Sequence, residues 1–107
     1  MKPARYHPDA VDELRAAIRY GELDRPGRGA LLEAAVNYVL RRIRRHPQSA
    51  PRWPGLQPSL EIRKARVKRH PFIVVYIVLA DQIAIVAVAH TSKEPGYWRG
   101  RLRDVAR

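Results

Sequence analysis

His90, Lys93, Tyr97 and Trp98 fall within nine residues near the C-terminus, in the stretch HTSKEPGYWRGR, which also carries Arg99 and Arg101. A histidine can take or give a proton near neutral pH, and a lysine can hold a phosphate, so this pair has the makings of an acid–base site. Two rings beside two arginines suit another task, stacking on a base or filling a pocket on a protein. A lone histidine at a strand end is more often a hydrogen-bonding structural residue, and Tyr97 and Trp98 would serve equally as packing groups. The stretch therefore reads as a docking surface, with no catalytic residue assigned.

Other chemistries lack their residues. The 107-residue chain has no cysteine, which removes disulfides, thiolate metal sites and a cysteine nucleophile and suits a reducing cytosol. No phosphate-binding glycine loop, zinc spacing, carboxylate pair or Ser/His/Asp arrangement stands out, so neither a metal nor a cofactor is expected. The longest uncharged apolar stretches, Phe72 to Ala80 and Ile83 to Ala89, are far below the roughly 20 residues that span a bilayer. The expectation is one soluble, cytoplasmic domain over residues 1–107, with no membrane partner.

The formal net charge of +11 is carried by one part of the chain. Residues 1–40 hold six basic and six acidic residues, whereas residues 41–107 hold fifteen Lys and Arg against Glu61, Asp81, Glu94 and Asp104. Such an asymmetry points to a surface that meets nucleic acid or an acidic protein segment. Arginine outnumbers lysine seventeen to four, so a G- and C-rich genome would also account for part of the excess.

The elements that must carry these groups follow from periodicity. Pro8 at a first helical position, with Asp9, Asp12 and Glu13 at the positive end of the dipole, starts a helix bearing Val11, Leu14 and Ile18 on one face, expected to stop near Gly21. After RPGRG, the residues Leu32, Ala35, Val36, Val39, Leu40 and Ile43 recur at helical spacing until His46-Pro47. The two helices form a hairpin ending in the cationic RRIRR at the negative dipole end. Residues 47–58 contain four prolines and read as an irregular connector, with Trp53 plugging the edge of the core.

The remainder reads as three strands and a short amphipathic helix. SLEIRKARVKR alternates loosely, Leu60 and Ile62 giving way to Lys64, Arg66 and Lys68 on the same face. PFIVVYIVLA and IAIVAVAH, separated by Asp81-Gln82, are rich in β-branched residues and nearly continuously apolar, hence adjacent antiparallel strands buried on both faces. A helix hairpin covers one face only, so the C-terminal segment, a partner chain or a dimer mate must cover part of the other. Trp98 and Leu102 share a face of the last helix at i, i+4.

Taken in order, RPGRGALLEAAVNYVLRRIRRHP, IRKARVKRHPFIVVYIV and IAIVAVAHTSKEPGYWRGRL resemble the ParE branch of the RelE/ParE toxin superfamily of bacterial toxin-antitoxin systems. The resemblance covers nearly the whole chain. It implies an α+β fold, with an N-terminal helix hairpin packed on a small, mainly antiparallel β-sheet and a short C-terminal helix. It implies a plasmid-stabilisation type of toxin neutralised by a cognate ParD-like antitoxin, with operator DNA met through the antitoxin complex. The target implied is DNA gyrase in ParE members, or mRNA cut on the ribosome in RelE members.

Ribonuclease members that this chain resembles spread Lys, Arg and Tyr over the central strands and last helix. Lys68 and Lys93 could supply cations and Tyr97 a ring, but Ile73 stands where those members carry an arginine. The resulting expectation is a gyrase inhibitor that contacts the gyrase–DNA complex or its antitoxin through Arg63, Lys64, Arg66, Lys68, Arg69, Lys93, Tyr97, Trp98, Arg99 and Arg101. A RelE-type endonuclease and a non-toxic nucleic-acid-binding relic are the alternatives.

Overall fold

The computed structural model describes residues 1–55 and 59–105. Its order is β1 (Ala4–Tyr6), α1 (Pro8–Asp24), α2 (Arg28–Arg45), β2 (Ile62–Val67), β3 (Phe72–Val78), β4 (Ile83–His90), a 3-10 turn (Arg99–Arg101) and α3 (Leu102–Val105). This is the expected α+β arrangement, with one strand more than the sequence suggests.

Helix α1 begins as its sequence requires. Pro8 occupies the first turn, and His7 caps the helix, its Nδ1 accepting from the Asp9 N–H at 3.0 Å. The helix does not stop near Gly21 but continues to Asp24, where Arg25 turns extended (φ −156°, ψ 124°) because it precedes Pro26. Gly21 is instead buried at the crossing with α2. There Gly29 lies so close to α1 that a Cβ on it would sit 2.6 Å from the Ile18 carbonyl oxygen. The hairpin is closed electrostatically by Glu22, whose carboxylate accepts the N–H groups of Gly27 (2.9 Å) and Gly29 (3.2 Å) at the positive end of α2.

The sheet runs in the order β1-β4-β3-β2, antiparallel except for β1, which pairs parallel with β4. A three-residue strand carries no readable alternation, and β1 exists only because β4 offers it an edge. On one face, Leu32, Val36, Val39 and Ile43 of α2 pack with Ala10 against Val74, Tyr76, Ile83 and Ile85. On the other, Val75, Ile77, Ala84 and Val86 are covered by Trp98, Leu102 and Val105, with Trp53 and Leu60 alongside. The second cover thus comes from the chain's own C-terminal segment and connector.

The connector is more ordered than four prolines suggest, although its residues 56–58 lie outside the described residues. Arg52 bridges Arg63, the Trp53 N–H donates to the Ile62 carbonyl (2.7 Å), and the Lys64 N–H donates to the Pro51 carbonyl (3.0 Å). It therefore protects the first half of β2's outer edge. Among the described residues no helix is long and apolar enough to cross a membrane.

Candidate functional site

The ten basic and aromatic residues singled out from the sequence divide into two groups. Four are engaged inside the fold. Trp98 is 1% exposed at the centre of the second core, with Trp53 edge-on to it at 5.1 Å. Arg63 ties β2 to the connector, its Nη1 donating to the Ala50 carbonyl (2.6 Å) while its Nε pairs with Glu61 (2.7 Å). Tyr97 and Arg101 both converge on Glu13 of α1.

Glu13 is the polar hub of this region. It accepts the Tyr97 hydroxyl at 2.5 Å, both Nη groups of Arg101 at 2.9 and 3.0 Å, and the Val88 N–H of β4 at 3.1 Å. Burial pushes the Tyr97 hydroxyl well above its ordinary value, and the hydrogen bond to the Glu13 carboxylate adds to the shift. Burial works against the Arg101 charge, but the hydrogen bond and charge of Glu13 outweigh it, so the guanidinium is held more firmly protonated than usual. Arg101 also donates to the Val86 carbonyl at 3.1 Å. Beside this hub, His7 reaches Asp104 (3.0 Å), Arg5 donates to the Val105 carbonyl (3.0 Å) and Asp9 pairs with the Arg101 Nε (3.5 Å), so Arg5, His7, Asp9 and Glu13 together hold the C-terminal segment down.

The remaining six face outward. Lys68 and Arg69 lie in the exposed β2–β3 turn, where Arg69 takes a left-handed φ of 71°, and Arg99 is exposed after Trp98. Lys64, Arg66 and Lys93 line a groove of about 630 Å³ at the outer edge of β2, with Arg42 of α2 as a fourth cation. Ile73, Ala89, Trp53, Tyr97 and the largely buried Trp98 also line it. Lys64 Nζ sits 5.1 Å from the centre of the Trp53 ring and Lys93 Nζ 5.6 Å from that of Tyr97, both cation–π contacts. A second groove, about 730 Å³, runs between α1 and the loop after β4, past Ala16, Tyr20, Phe72 and Val88.

His90 behaves as a turn residue. Its Nδ1 accepts the Ser92 N–H at 3.0 Å, and its ring meets Phe72 edge-on at 5.1 Å. Ile73, the position at which the resemblance would put an arginine in ribonuclease members, lines the basic groove. With the Tyr97 proton committed to Glu13 and the His90 Nδ1 committed to Ser92, no acid–base pair is assembled near the groove cations among the described residues. What the site offers is cationic charge beside apolar and aromatic side chains, chemistry suited to anions and flat rings.

Sequence reasoning missed Glu13 as a hub, having used it only as an acid near the positive end of the α1 dipole, and it missed His7. Their partners are 75 to 97 residues away, and no local pattern announces such pairs. Arg42 was visible only as one member of the RRIRR cluster.

A helix hairpin on a small sheet, closed by a C-terminal cover and bearing a basic aromatic groove, defines a compact α+β domain. The family model described as "ParE toxin of type II toxin-antitoxin system, parDE" matches residues 4–95, and the chain belongs to that family. Among solved structures it is similar to one described as "Chromosomal ParDE TA system from P. aeruginosa", at 15% identity and a TM-score of 0.70, covering 84% of this chain and 96% of that one. At that identity the likeness is one of fold. No curated protein matches the chain.

Proposed function

We propose that this ParE-family toxin acts in the cytoplasm by binding and inhibiting DNA gyrase, and that a cognate ParD-like antitoxin neutralises it. The observation that carries this reading is the Tyr97–Glu13 hydrogen bond. It commits the Tyr97 proton to a carboxylate and leaves only the ring facing the groove, which favours a reading in which the exposed cations bind rather than cut. Lys64, Arg66, Lys68, Arg69, Lys93 and Arg99 would meet the gyrase–DNA complex. Arg63, Tyr97, Trp98 and Arg101 would act indirectly, by holding the connector and C-terminal segment in place.

The antitoxin would bring acidic side chains to Lys68 and Lys93 and apolar ones to the groove beside Tyr20, which is 77% exposed. An antitoxin tail that folds as it binds suits this apolar groove beside α1. Contact with operator DNA would then come through the toxin–antitoxin complex.

The deciding experiment is a gyrase supercoiling and cleavage assay with the purified toxin, run beside a ribosome-bound mRNA cleavage assay. Loss of supercoiling with intact mRNA is expected, weakened at least tenfold by Arg66→Glu with Lys68→Glu and relieved by antitoxin. Cut mRNA with normal gyrase would replace this reading with the RelE-type one, and silence in both would point to a relic.

A further inference from the structure

The basic groove holds four cations, Arg42, Lys64, Arg66 and Lys93, against one acidic lining residue, Glu94. Among the described residues none of the four has a carboxylate partner. Two of them instead rest over the rings of Trp53 and Tyr97. Cations held on aromatic faces, without counter-charge, are the groups that meet a phosphate backbone and its bases together. The volume, about 630 Å³, lies within the range of small-molecule pockets and suits a short stretch of strand threading through.

Two alternative occupants fit less well. A duplex keeps its bases stacked inside and could not present them to Trp53 and Tyr97 in the groove. An extended acidic peptide would need backbone to pair with, and β2 offers little. The connector already takes the Ile62 carbonyl and the Lys64 N–H, and β2 ends at Val67. Outward-facing groups alternate along a strand, so only the Lys64 carbonyl and the N–H and carbonyl of Arg66 remain for an added strand.

We propose that this groove binds a single strand of nucleic acid, its phosphates on Arg42, Lys64, Arg66 and Lys93 and a base against Trp53 or Tyr97. In the gyrase reading it would place the toxin on an exposed DNA strand of the complex. Strand binding by the toxin alone does not require gyrase to be the target, so the two readings fail separately.

The chain's only two tryptophans, Trp53 and Trp98, both line the groove, so intrinsic fluorescence reports on its occupancy. The purified full-length toxin would be titrated with oligo-dT of twelve nucleotides, following tryptophan quenching and oligonucleotide anisotropy across a salt series. Quenching that saturates is expected. The Arg42→Glu, Arg66→Glu double variant should lower affinity at least tenfold and reduce the salt slope by about 1.4, two phosphate contacts at about 0.7 each. The charge-matched Arg15→Glu, Arg19→Glu variant, on the exposed side of α1, should change affinity less than threefold.

Circular dichroism would establish that both double variants keep the fold. If the groove variant is unfolded, Arg66→Gln takes its place, with at least a threefold loss expected. The proposal is overturned by binding without quenching, by equal losses in the two double variants, by duplex DNA binding as tightly as oligo-dT, or by poly-glutamate quenching as strongly. Absence of binding at low salt overturns it as well.

Discussion

The Glu13 carboxylate accepts the Tyr97 hydroxyl at 2.5 Å across 84 residues of chain, and the same carboxylate forks onto the Arg101 guanidinium. One α1 side chain thus ties two residues of the C-terminal cover to the helix layer, beside the contacts that Arg5, His7 and Asp9 make to the same segment.

Removing that charge should loosen the cover. Arg101 is 16% and Glu13 21% exposed at the side chain, so Glu13→Ala leaves the Tyr97 hydroxyl without its acceptor and the guanidinium with only Asp9 and the Val86 carbonyl in a largely dry setting. A loss of about 2–4 kcal/mol is expected from urea unfolding. Glu13→Gln, which keeps an acceptor for Tyr97, should cost less, and equal costs would show that hydrogen bonding to Tyr97 contributes nothing.

Alkaline pH should act on the same pair. Burial raises the Tyr97, Tyr76 and Tyr6 hydroxyls above the ordinary tyrosine value of 10.0, so the fold favours their neutral forms. Stability from this source is complete below pH 10 and declines above it, where unfolded tyrosines ionise first. Tyr97→Phe should flatten the decline measured by urea unfolding between pH 9 and pH 11. An unchanged slope would remove Tyr97 from the linkage.

The second core rests on one ring. Trp98 is almost wholly buried against Trp53, so Trp98→Ala should cost about 3–5 kcal/mol, and Leu102→Ala, at 5% exposure, about 2–4 kcal/mol. Thermal denaturation would rank them. A small loss for Trp98→Ala would mean that the C-terminal segment contributes little to the fold.

Two glycines should behave oppositely. Gly29→Ala pushes a methyl to 2.6 Å from the Ile18 carbonyl oxygen, and separating the hairpin should cost about 1–3 kcal/mol. Gly100 has open space around its would-be Cβ and no left-handed backbone, so Gly100→Ala should be neutral or stabilising by up to about 1 kcal/mol. Chemical denaturation of both variants compares them directly, and a neutral Gly29→Ala would contradict the tight crossing.

Much of the scaffold was legible in the residues themselves. The 3.6 spacing from Leu32 to Ile43 names a helix and its buried face, and the uninterrupted β-branched and aromatic run from Phe72 to Val78 names a strand covered on both sides. The end of α1 was misplaced because Gly21 looked like a stop, whereas glycine there serves the close crossing and Pro26 supplies the stop. The rings and cations of the C-terminal stretch were recognised as a group, yet their exposure was not readable. Trp98, two residues from exposed Gly100, is core, and Lys93 is surface.

By itself the sequence determined the helix hairpin, the two central strands, the basic second part and the lack of common catalytic patterns, because these are properties of residue type and short-range period. Tertiary structure decided the pairing of β1 with β4, the burial of Trp98 and the capture of Tyr97 and Arg101 by Glu13. It also decided which of the cations share a groove. Each of these depends on groups brought together from distant parts of the chain, where geometry selects one carboxylate or one ring among several of identical chemistry.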